Sequence, residues 1–259
     1  MMFFISKRKL FLVTGIVLVL AIIATSTQLW VPGRTRQVVS TLLNLNRKVP
    51  IYCVQTDEKR IAISFDAAWG ADQTDELLTI LDEYDIKTTF FLVAFWLERY
   101  PEVAARIAAA GHEIGNHSAT HPHMSSLSAE QIQFELQRTH QLIKETTQQE
   151  ANLFRPPFGE YNNLLLDTVE QLGYHTIQWS IDSLDWRPTT PADIVQRVTS
   201  KIAPGAIVLF HNNAEHTPAA LRPILDYCRQ EGYEVVPISE LLLKGDYYID
   251  KSNGMMRPK

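Results

Sequence analysis

The chain has 259 residues, of which 46% are hydrophobic and 20% are charged, an ordinary composition for a globular protein with one sizeable core. Its formal net charge is −5, and from residue 32 onward 21 basic side chains stand against 29 acidic ones. An acidic protein of this kind is not expected to bind nucleic acid, because phosphate binding needs a positive surface. The sequence leaves open whether its two cysteines, Cys53 and Cys228, form a disulfide.

The N-terminus has the pattern of a membrane anchor. Residues 1–9 end in the cationic run KRK, and residues 10–31 contain no charged side chain. As a helix, this uncharged stretch would be about 33 Å long, enough to cross the hydrocarbon core of a bilayer. The preceding cations predict a cytoplasmic N-terminus, so we expect a single-pass protein of the cell membrane whose remaining chain is extracytoplasmic. The alternative is a signal peptide that is cleaved near the small residues at 24–26.

The next segment, residues 32–58, is interpreted as a tether, and from Lys59 onward short apolar runs alternate with longer amphipathic segments. Seven of the short runs have the length and composition of β-strands. These predicted strands are Ile61–Phe65, Thr88–Val93, Glu113–Asn116, Leu153–Arg155, Thr176–Trp179, Ala206–Phe210 and Glu234–Pro237.

Helix-start signals lie between the predicted strands. Ser128 and Gln131 have the spacing of a capping box and precede apolar residues at helical intervals. Thr190 followed by Pro191 is typical of an N-cap and a first helical residue. Strand–helix alternation over about seven units predicts a parallel sheet that is closed, or nearly closed, into a barrel.

Polar side chains follow five of the predicted strands, at the point where each strand ends. The first is Asp66, in the stretch AISFDAAWG. The others are His117 with His121, Arg155, Asp185 and His211, at intervals of 51, 38, 30 and 26 residues counted from Asp66 through His117. Because a βα unit takes roughly 30 residues, these groups are expected to share the C-terminal rim of the barrel, where barrel enzymes place their active sites.

Each of these side chains also has a purely structural explanation. Asp66 could cap a turn, and His211, which follows an apolar run, could be a buried histidine with satisfied hydrogen bonds. His117 and His121 have the four-residue spacing of metal ligands, although Pro122 favours a tight loop over a helical turn. The presence of all these groups on one rim favours the functional interpretation.

The ordered segments SFDAAWG, NHSATH, RPPFG, DSLDW and LFH resemble the five motifs of the polysaccharide deacetylases, the NodB-homology carbohydrate esterases. The resemblance covers residues 59–244 and leaves 245–259 as a C-terminal tail. It implies a distorted (β/α)7 barrel of the NodB-homology type, preceded here by the N-terminal transmembrane helix. The first motif and the anchor are similar to the subgroup associated with bacterial sporulation and cell-wall modification.

The resemblance also implies roles for single residues. Asp66 matches the catalytic base, and Arg155 matches the residue that holds this carboxylate through a charge-assisted hydrogen bond. His211 matches the acid, with Asp185 as its partner. Amide hydrolysis needs such a division of labour, because one group must take a proton from water and another must protonate the departing amine.

Three further positions match the substrate-binding part of the family pattern. The backbone N–H of Phe158, where the family commonly has tyrosine, would help to form the oxyanion hole. Trp186 and Leu209 would line the pocket for the acetyl methyl group.

The metal site that the resemblance implies is incomplete. His117 and His121 match two ligands of a divalent ion, with zinc as the expected metal. The third ligand position is occupied by Ala67, whose methyl group cannot coordinate a cation. Asp72 is the substitute that we consider, and a two-histidine site would bind an ion more weakly, with water in the open positions.

The sequence is compatible with three functions. The first is a membrane-anchored hydrolase that removes N-acetyl groups from the amino sugars of peptidoglycan or a chitin-like polymer. The alternative is a catalytically inactive glycan-binding or spore-envelope protein that has lost its metal site. Ala67 favours the alternative, whereas the presence of all six other site residues in one chain favours the hydrolase: Asp66, His117, His121, Arg155, Asp185 and His211. A hydrolase of the same fold acting on a small amide is a third possibility, which a closed pocket would favour.

Overall fold

A computed structural model describes residues 47–259. The predicted cytoplasmic segment 1–9, the predicted membrane span 10–31 and the tether up to residue 46 lie outside the described residues. Within residues 47–259, no helix is both long enough and apolar enough to cross a bilayer.

A curved parallel sheet forms the centre of the fold. The strands of the described chain are β1 (Cys53–Val54), β2 (Arg60–Ala67), β3 (Thr89–Leu92), β4 (Glu113–Asn116), β5 (Leu153–Phe154), β6 (His175–Thr176), β7 (Ile181–Asp182), β8 (Ile207–His211), β9 (Glu234–Val235), β10 (Tyr247–Ile249) and β11 (Met255–Pro258). The sheet order is β6-β5-β4-β3-β2-β8-β7, β9 also pairs with β2, and every pair in it is parallel. The predicted parallel α/β architecture is therefore confirmed.

The sheet is a curled half-barrel, which confirms the expected barrel-like parallel α/β fold in its general form and shows that the barrel is not closed within residues 47–259. Its end strands, β6 and β7, are two residues long and do not pair with each other in the part of the chain that the structure describes. The segment from Ile51 to Val54 contacts β6 and the residues that precede β8: Ile51 N–H donates to the Thr176 carbonyl and Val54 N–H to the Gly205 carbonyl, both at 2.9 Å. Gly205 has φ +77°, and a Cβ there would lie 1.7 Å from the Val54 carbonyl oxygen.

The predicted tether and C-terminal tail differ from the structure over residues 51–58 and 245–259. Strands β1, β11 and β10 form a second, three-stranded sheet in that order. Ile51, Val54 and Met256 are buried in an apolar cluster that they share with the main sheet. Strands of two to four residues carry too few alternating positions to be recognised from sequence. Cys53, in β1, and Cys228 are both free thiols.

Helices cover the outer face of the sheet. Within the described residues they are α1 (Thr74–Glu83), α2 (Ala94–Arg99), α3 (Pro101–Ala109), α4 (Ala129–Thr147), α5 (Asn163–Gln171), α6 (Pro191–Thr199), α7 (Thr217–Gln230) and α8 (Ile238–Leu241). Both predicted helix starts are confirmed. Ser128 and Gln131 form the capping box of α4, and Thr190 with Asp193 forms that of α6.

Side chains along β2 alternate between the apolar core on one face of the sheet and the candidate functional residues on the other. Ile61, Ile63 and Phe65 belong to the main apolar core, where the Phe65 ring stacks on Phe90 at 4.9 Å between centroids. Because successive side chains point to opposite faces, Ser64 and Asp66 face the concave side of the sheet. Asp66 is the register partner of His211 on β8, so the two functional candidates lie side by side where parallel strands end.

Candidate active site

A cavity of about 1090 Å³ opens at the carboxyl ends of the central strands. It brings together eight of the residues that the sequence singled out: Asp66, His117, His121, Phe158, Asp185, Trp186, Leu209 and His211. Three aromatic side chains at its opening, Trp69, Phe158 and Trp186, are 63%, 56% and 56% exposed. Exposed aromatic faces beside buried polar groups suit an amphipathic ligand such as a sugar chain.

The carboxylate of Asp66 is buried at the end of β2 and paired with Arg155, which is itself fully buried behind the cavity. Arg155 donates from Nη1 to Asp66 Oδ1 at 2.7 Å and from Nη2 to Ser64 Oγ at 2.8 Å. Burial alone would raise the pKa of Asp66, but the charge of Arg155, with smaller effects from His117 and His211, holds it below its ordinary value. Asp66 is therefore ionised at neutral pH.

Ser64 is a member of this group that the sequence analysis missed. Its hydroxyl accepts from Arg155 and donates to the Val208 carbonyl at 2.8 Å, so it connects the guanidinium to the neighbouring strand. The available signal was its position two residues before Asp66, which places both side chains on the same face of a strand.

His117 follows β4 and presents an unprotonated nitrogen to Asp66. Its Nδ1 lies 2.7 Å from the carbonyl oxygen of Arg155, and because a carbonyl can only accept, Nδ1 carries the proton. Nε2 therefore has a free lone pair, 3.5 Å from Asp66 Oδ2. Burial lowers the pKa of His117, which keeps the ring neutral.

His121 lies four residues further along the same loop, in a left-handed conformation with φ 54°. Its Nδ1 is buried and has no hydrogen-bond partner among the described residues. Burial, and secondarily the nearby His117, lower the pKa of His121 to about 4. The ring contacts His117 at 5.0 Å, and Trp69 and Phe158 at 4.7 Å each, so a neutral imidazole faces the cavity.

The loop between these histidines is held by Glu135 of α4, another residue that the sequence analysis missed. The Glu135 carboxylate accepts from the backbone N–H groups of Ala119 and Thr120, both at 2.8 Å, and from the Thr120 hydroxyl at 2.8 Å. The available signal was a carboxylate next to Leu136 on the otherwise apolar face of a predicted helix.

The resemblance implies a divalent ion at this site, and the residues present do not complete its ligand set. His117 and His121 are neutral and close together, as metal ligands must be. Ala67 is fully buried in the apolar core. Asp72 does not line the cavity, and its backbone N–H bonds to Asn213. Residues 47–259 contain no cluster of three His, Cys, Asp or Glu side chains able to hold a metal. Catalytic zinc sites usually have three protein ligands, so the described residues fall one short.

On the opposite side of the cavity, His211 and Asp185 form a complete hydrogen-bonded pair. Asp185 Oδ1 lies 2.8 Å from His211 Nδ1, and Oδ2 accepts from the His211 backbone N–H at 2.8 Å and from the Thr217 hydroxyl at 2.7 Å. Burial lowers the pKa of His211, but the hydrogen bond and charge of Asp185 outweigh it, and the net pKa is raised. The sequence analysis missed Thr217, which sits 32 residues from its partner.

Phe158 has the backbone geometry of a special position. Its φ is 59°, in the left-handed region that a side chain rarely adopts, and Gly159 follows with φ +69°. The Phe158 ring is exposed at the cavity mouth and stacks on His123 at 4.5 Å. Backbone conformations of this kind recur where a protein positions a group for a ligand.

The comparison with known proteins identifies the family. The polysaccharide deacetylase family model matches residues 54–177. The chain is 35% identical over 194 residues to the peptidoglycan-N-acetylglucosamine deacetylase of Bacillus cereus, a match that covers 73% of this chain and 91% of that protein. The chain belongs to the polysaccharide deacetylase family.

Two other relatives are informative. YlxY of Bacillus subtilis is 33% identical over 193 residues, which cover 74% of this chain and 60% of that protein. The crystal structure of a CE4 family pseudoenzyme from Bacillus anthracis matches with a TM-score of 0.72 and 36% identity, covering 74% of this chain and 68% of that one. A mutant of that pseudoenzyme with restored enzymatic activity matches with a TM-score of 0.72 and 37% identity, covering 74% and 71%.

Proposed function

We propose that this protein is an N-deacetylase that hydrolyses the acetamido groups of a cell-wall glycan, releasing acetate and leaving a free amine on the sugar. The observation that carries the proposal is the pairing of Asp66 with His211. An ionised carboxylate and an imidazole of raised pKa are register partners on adjacent strands and line one cavity. The open cavity with its exposed aromatic side chains supports a polymer over a small amide.

Asp66 would act as the base. It takes a proton from the attacking water while Arg155 keeps the carboxylate ionised and oriented through the 2.7 Å bond to Oδ1. The second oxygen, Oδ2, makes no bond to Arg155 and is the atom free to receive the proton.

His211 would act as the acid. The bond from Nδ1 to Asp185 orients the ring and stabilises the imidazolium, which leaves Nε2 to protonate the departing amine. Because the pKa of His211 is raised, the protonated form persists to a higher pH than in a free histidine. The pKa of the base is thus lowered and the pKa of the acid is raised. Each group is thereby held in the protonation state that its role requires.

The remaining roles concern the acetyl group. The Phe158 backbone N–H would donate to the developing oxyanion, and Trp186 and Leu209 would contact the acetyl methyl group. The support is that all three residues line the cavity and that no other described protein group accepts the Phe158 N–H. Losing one oxyanion donor typically costs a rate factor of about 10²–10³.

A second candidate function is a catalytically inactive glycan-binding or spore-envelope protein. Two observations favour it: Ala67 stands at the third ligand position, and a CE4 family pseudoenzyme is 36% identical to this chain. The aromatic cavity would bind a sugar chain in either case.

Acetate release separates the two functions. The full chain is incubated with peptidoglycan and with N-acetylglucosamine oligomers, and acetate is quantified for the wild type and for Asp66→Asn. We expect release by the wild type to exceed that of Asp66→Asn by at least about a hundredfold. Thermal unfolding of both proteins checks that the variant is folded. Equal release by the two would remove Asp66 from the mechanism and favour the glycan-binding function.

We also propose that the domain acts on the outer side of the cell membrane, anchored by residues 10–31. The support is the uncharged run that follows the KRK sequence. Membrane fractionation with external protease digestion tests this: a membrane-bound, externally cleaved protein is expected, and a released protein would favour the cleaved signal peptide. A role in sporulation rests on the subgroup resemblance alone.

A further inference from the structure

A second depression adjoins the catalytic cavity and differs from it in charge. This depression, here called the α6 groove, has a volume of about 510 Å³ and lies between the loop at residues 184–189 and helix α6 with the residues that follow it. Arg187, Pro188 and Thr189 line both the cavity and the α6 groove. A polymer that leaves the cavity past Trp186 therefore meets the α6 groove directly.

The α6 groove is basic on a protein that is acidic elsewhere. Its three cations, Arg187, Arg197 and Lys201, are exposed, and none forms an ion pair with a carboxylate within residues 47–259. Its one acidic wall residue, Asp193, is engaged in the cap of α6, where it accepts from the Thr190 hydroxyl at 2.7 Å and from the Thr190 N–H at 3.2 Å. Arg187 lies over the Trp186 ring at 4.6 Å, and none of the three cations is neutralised by a carboxylate of the described chain, so all three are available to an anion.

We infer that the α6 groove is a subsite for a carboxylate carried by the same glycan whose acetamido group enters the cavity. The inference rests on the proposed function and makes its substrate more specific. A polymer of N-acetylglucosamine alone is neutral and has nothing for three cations to bind. Peptidoglycan has carboxylates close to the sugar chain, either on the lactyl group of its muramic acid or on its stem peptides. Both sources present the same chemistry, and the α6 groove selects an acidic peptidoglycan over a neutral chitin-like chain.

The experiment compares three substrates of matched sugar length with the full chain. They are peptidoglycan fragments that carry stem peptides, fragments whose stem peptides are removed so that the lactyl carboxylate is free, and N-acetylglucosamine oligomers. Wild type is compared with the Arg197→Gln/Lys201→Gln double variant. Lys244→Gln is the control, because Lys244 is an exposed cation that lines neither the cavity nor the α6 groove.

We expect the double variant to lower kcat/KM for at least one acidic fragment about fivefold more than for the neutral oligomer, chiefly through KM. The loss should shrink at high salt, because exposed charges are screened. The fragment that responds identifies the carboxylate source. Equal losses on acidic and neutral substrates, or the same losses in Lys244→Gln, would overturn the inference.

The carboxylate subsite can be tested even if the proposed hydrolase activity is not found. If no substrate releases acetate, the hydrolase proposal fails, and the subsite is then decided by calorimetric binding of the same fragments. Weaker binding of an acidic fragment by the double variant than by Lys244→Gln would support the subsite. Equal binding by both variants would refute it.

Discussion

His211 and His121 face the same cavity, but the protein supports them very differently. On the His211 side, both oxygens of Asp185 have donors, supplied by the imidazole, a backbone N–H and the Thr217 hydroxyl. On the His121 side, the ring nitrogen Nδ1 is buried without a partner in the described chain, and the position where a third ligand belongs is an alanine. One side is complete without an added group, and the other is not.

The groups proposed for proton transfer and the histidines that match metal ligands are therefore supported by separate parts of the fold. Asp66 lies between them, bonded to Arg155 and facing His117 at 3.5 Å. With alanine at position 67 one implied ligand is absent, while the hydrogen bonds of Asp66, Asp185 and His211 are in place.

The largest effect is expected from removing Arg155, which holds Asp66 between the His121 side and the His211 side of the cavity. In Arg155→Met the Asp66 carboxylate is left buried and unpaired, and we expect the free energy of unfolding to fall by about 3–5 kcal/mol in urea titrations. The double variant Asp66→Asn/Arg155→Met should recover part of this, because no lone charge remains. A loss below about 1 kcal/mol in the single variant would show that this pair does not hold the site together.

The same pair has a pH signature. Because the folded-state pKa of Asp66 is depressed, its contribution to stability is present above the unfolded pKa of about 3.9. That contribution is lost as pH falls through the lower, folded-state pKa.

The complete side is tested by Asp185→Asn. Without the carboxylate the pKa of His211 should fall, so the alkaline limb of kcat/KM, where the acid loses its proton, should move to lower pH. We expect about a hundredfold lower acetate release at neutral pH. NMR titration of the His211 ring measures the pKa independently of activity. Thr217→Val, which keeps the Asp185–His211 bond, should have a smaller effect, and an unchanged His211 pKa in Asp185→Asn would contradict this account.

The incomplete side is tested by supplying the missing ligand. In Ala67→Asp, a carboxylate in a fully buried position is costly until a cation binds it. At a free zinc concentration about ten times its dissociation constant, the ion should stabilise the variant by about 1.4 kcal/mol, or roughly 3–5 °C in Tm. The wild type should shift less at the same zinc concentration. A shift that is equally large in Ala67→Asp/His121→Leu would show that the new carboxylate and His121 do not share an ion.

The smallest effect is expected at Glu135, which holds the histidine loop from outside the cavity. Glu135→Gln keeps one acceptor and loses the charge-assisted bonds to Ala119 and Thr120, at a cost of about 1 kcal/mol. Hydrogen exchange of these two amides should become faster. Unchanged protection there would mean that the loop is ordered without Glu135.

The strand-end pattern predicted much of the site from the sequence. Asp66 and His211 follow apolar runs that are long enough to be recognised, and parallel strands necessarily bring their carboxyl ends to one edge. Other parts depend on contacts between distant segments. Ser64, Glu135 and Thr217 are ordinary polar residues until folding places them against Arg155, the histidine loop and Asp185.

The fold was less predictable at its margins. Strands β1 and β7 have two residues each, and β1 pairs with β11 at the far end of the chain. Such short strands are recognised only by the strands they pair with, because two residues are too few to show the alternation of apolar and polar side chains. For the same reason the closure of the sheet could not be deduced from the number of apolar runs.

The most direct measurement is acetate release from peptidoglycan fragments by the wild type, Asp66→Asn and His211→Asn at equal protein concentration. Binding of the same fragments is measured in parallel. The account predicts release by the wild type, a loss of at least about a hundredfold in each variant, and retained binding in both. Release by the wild type that does not exceed that of the two variants, with binding intact in all three, would contradict it.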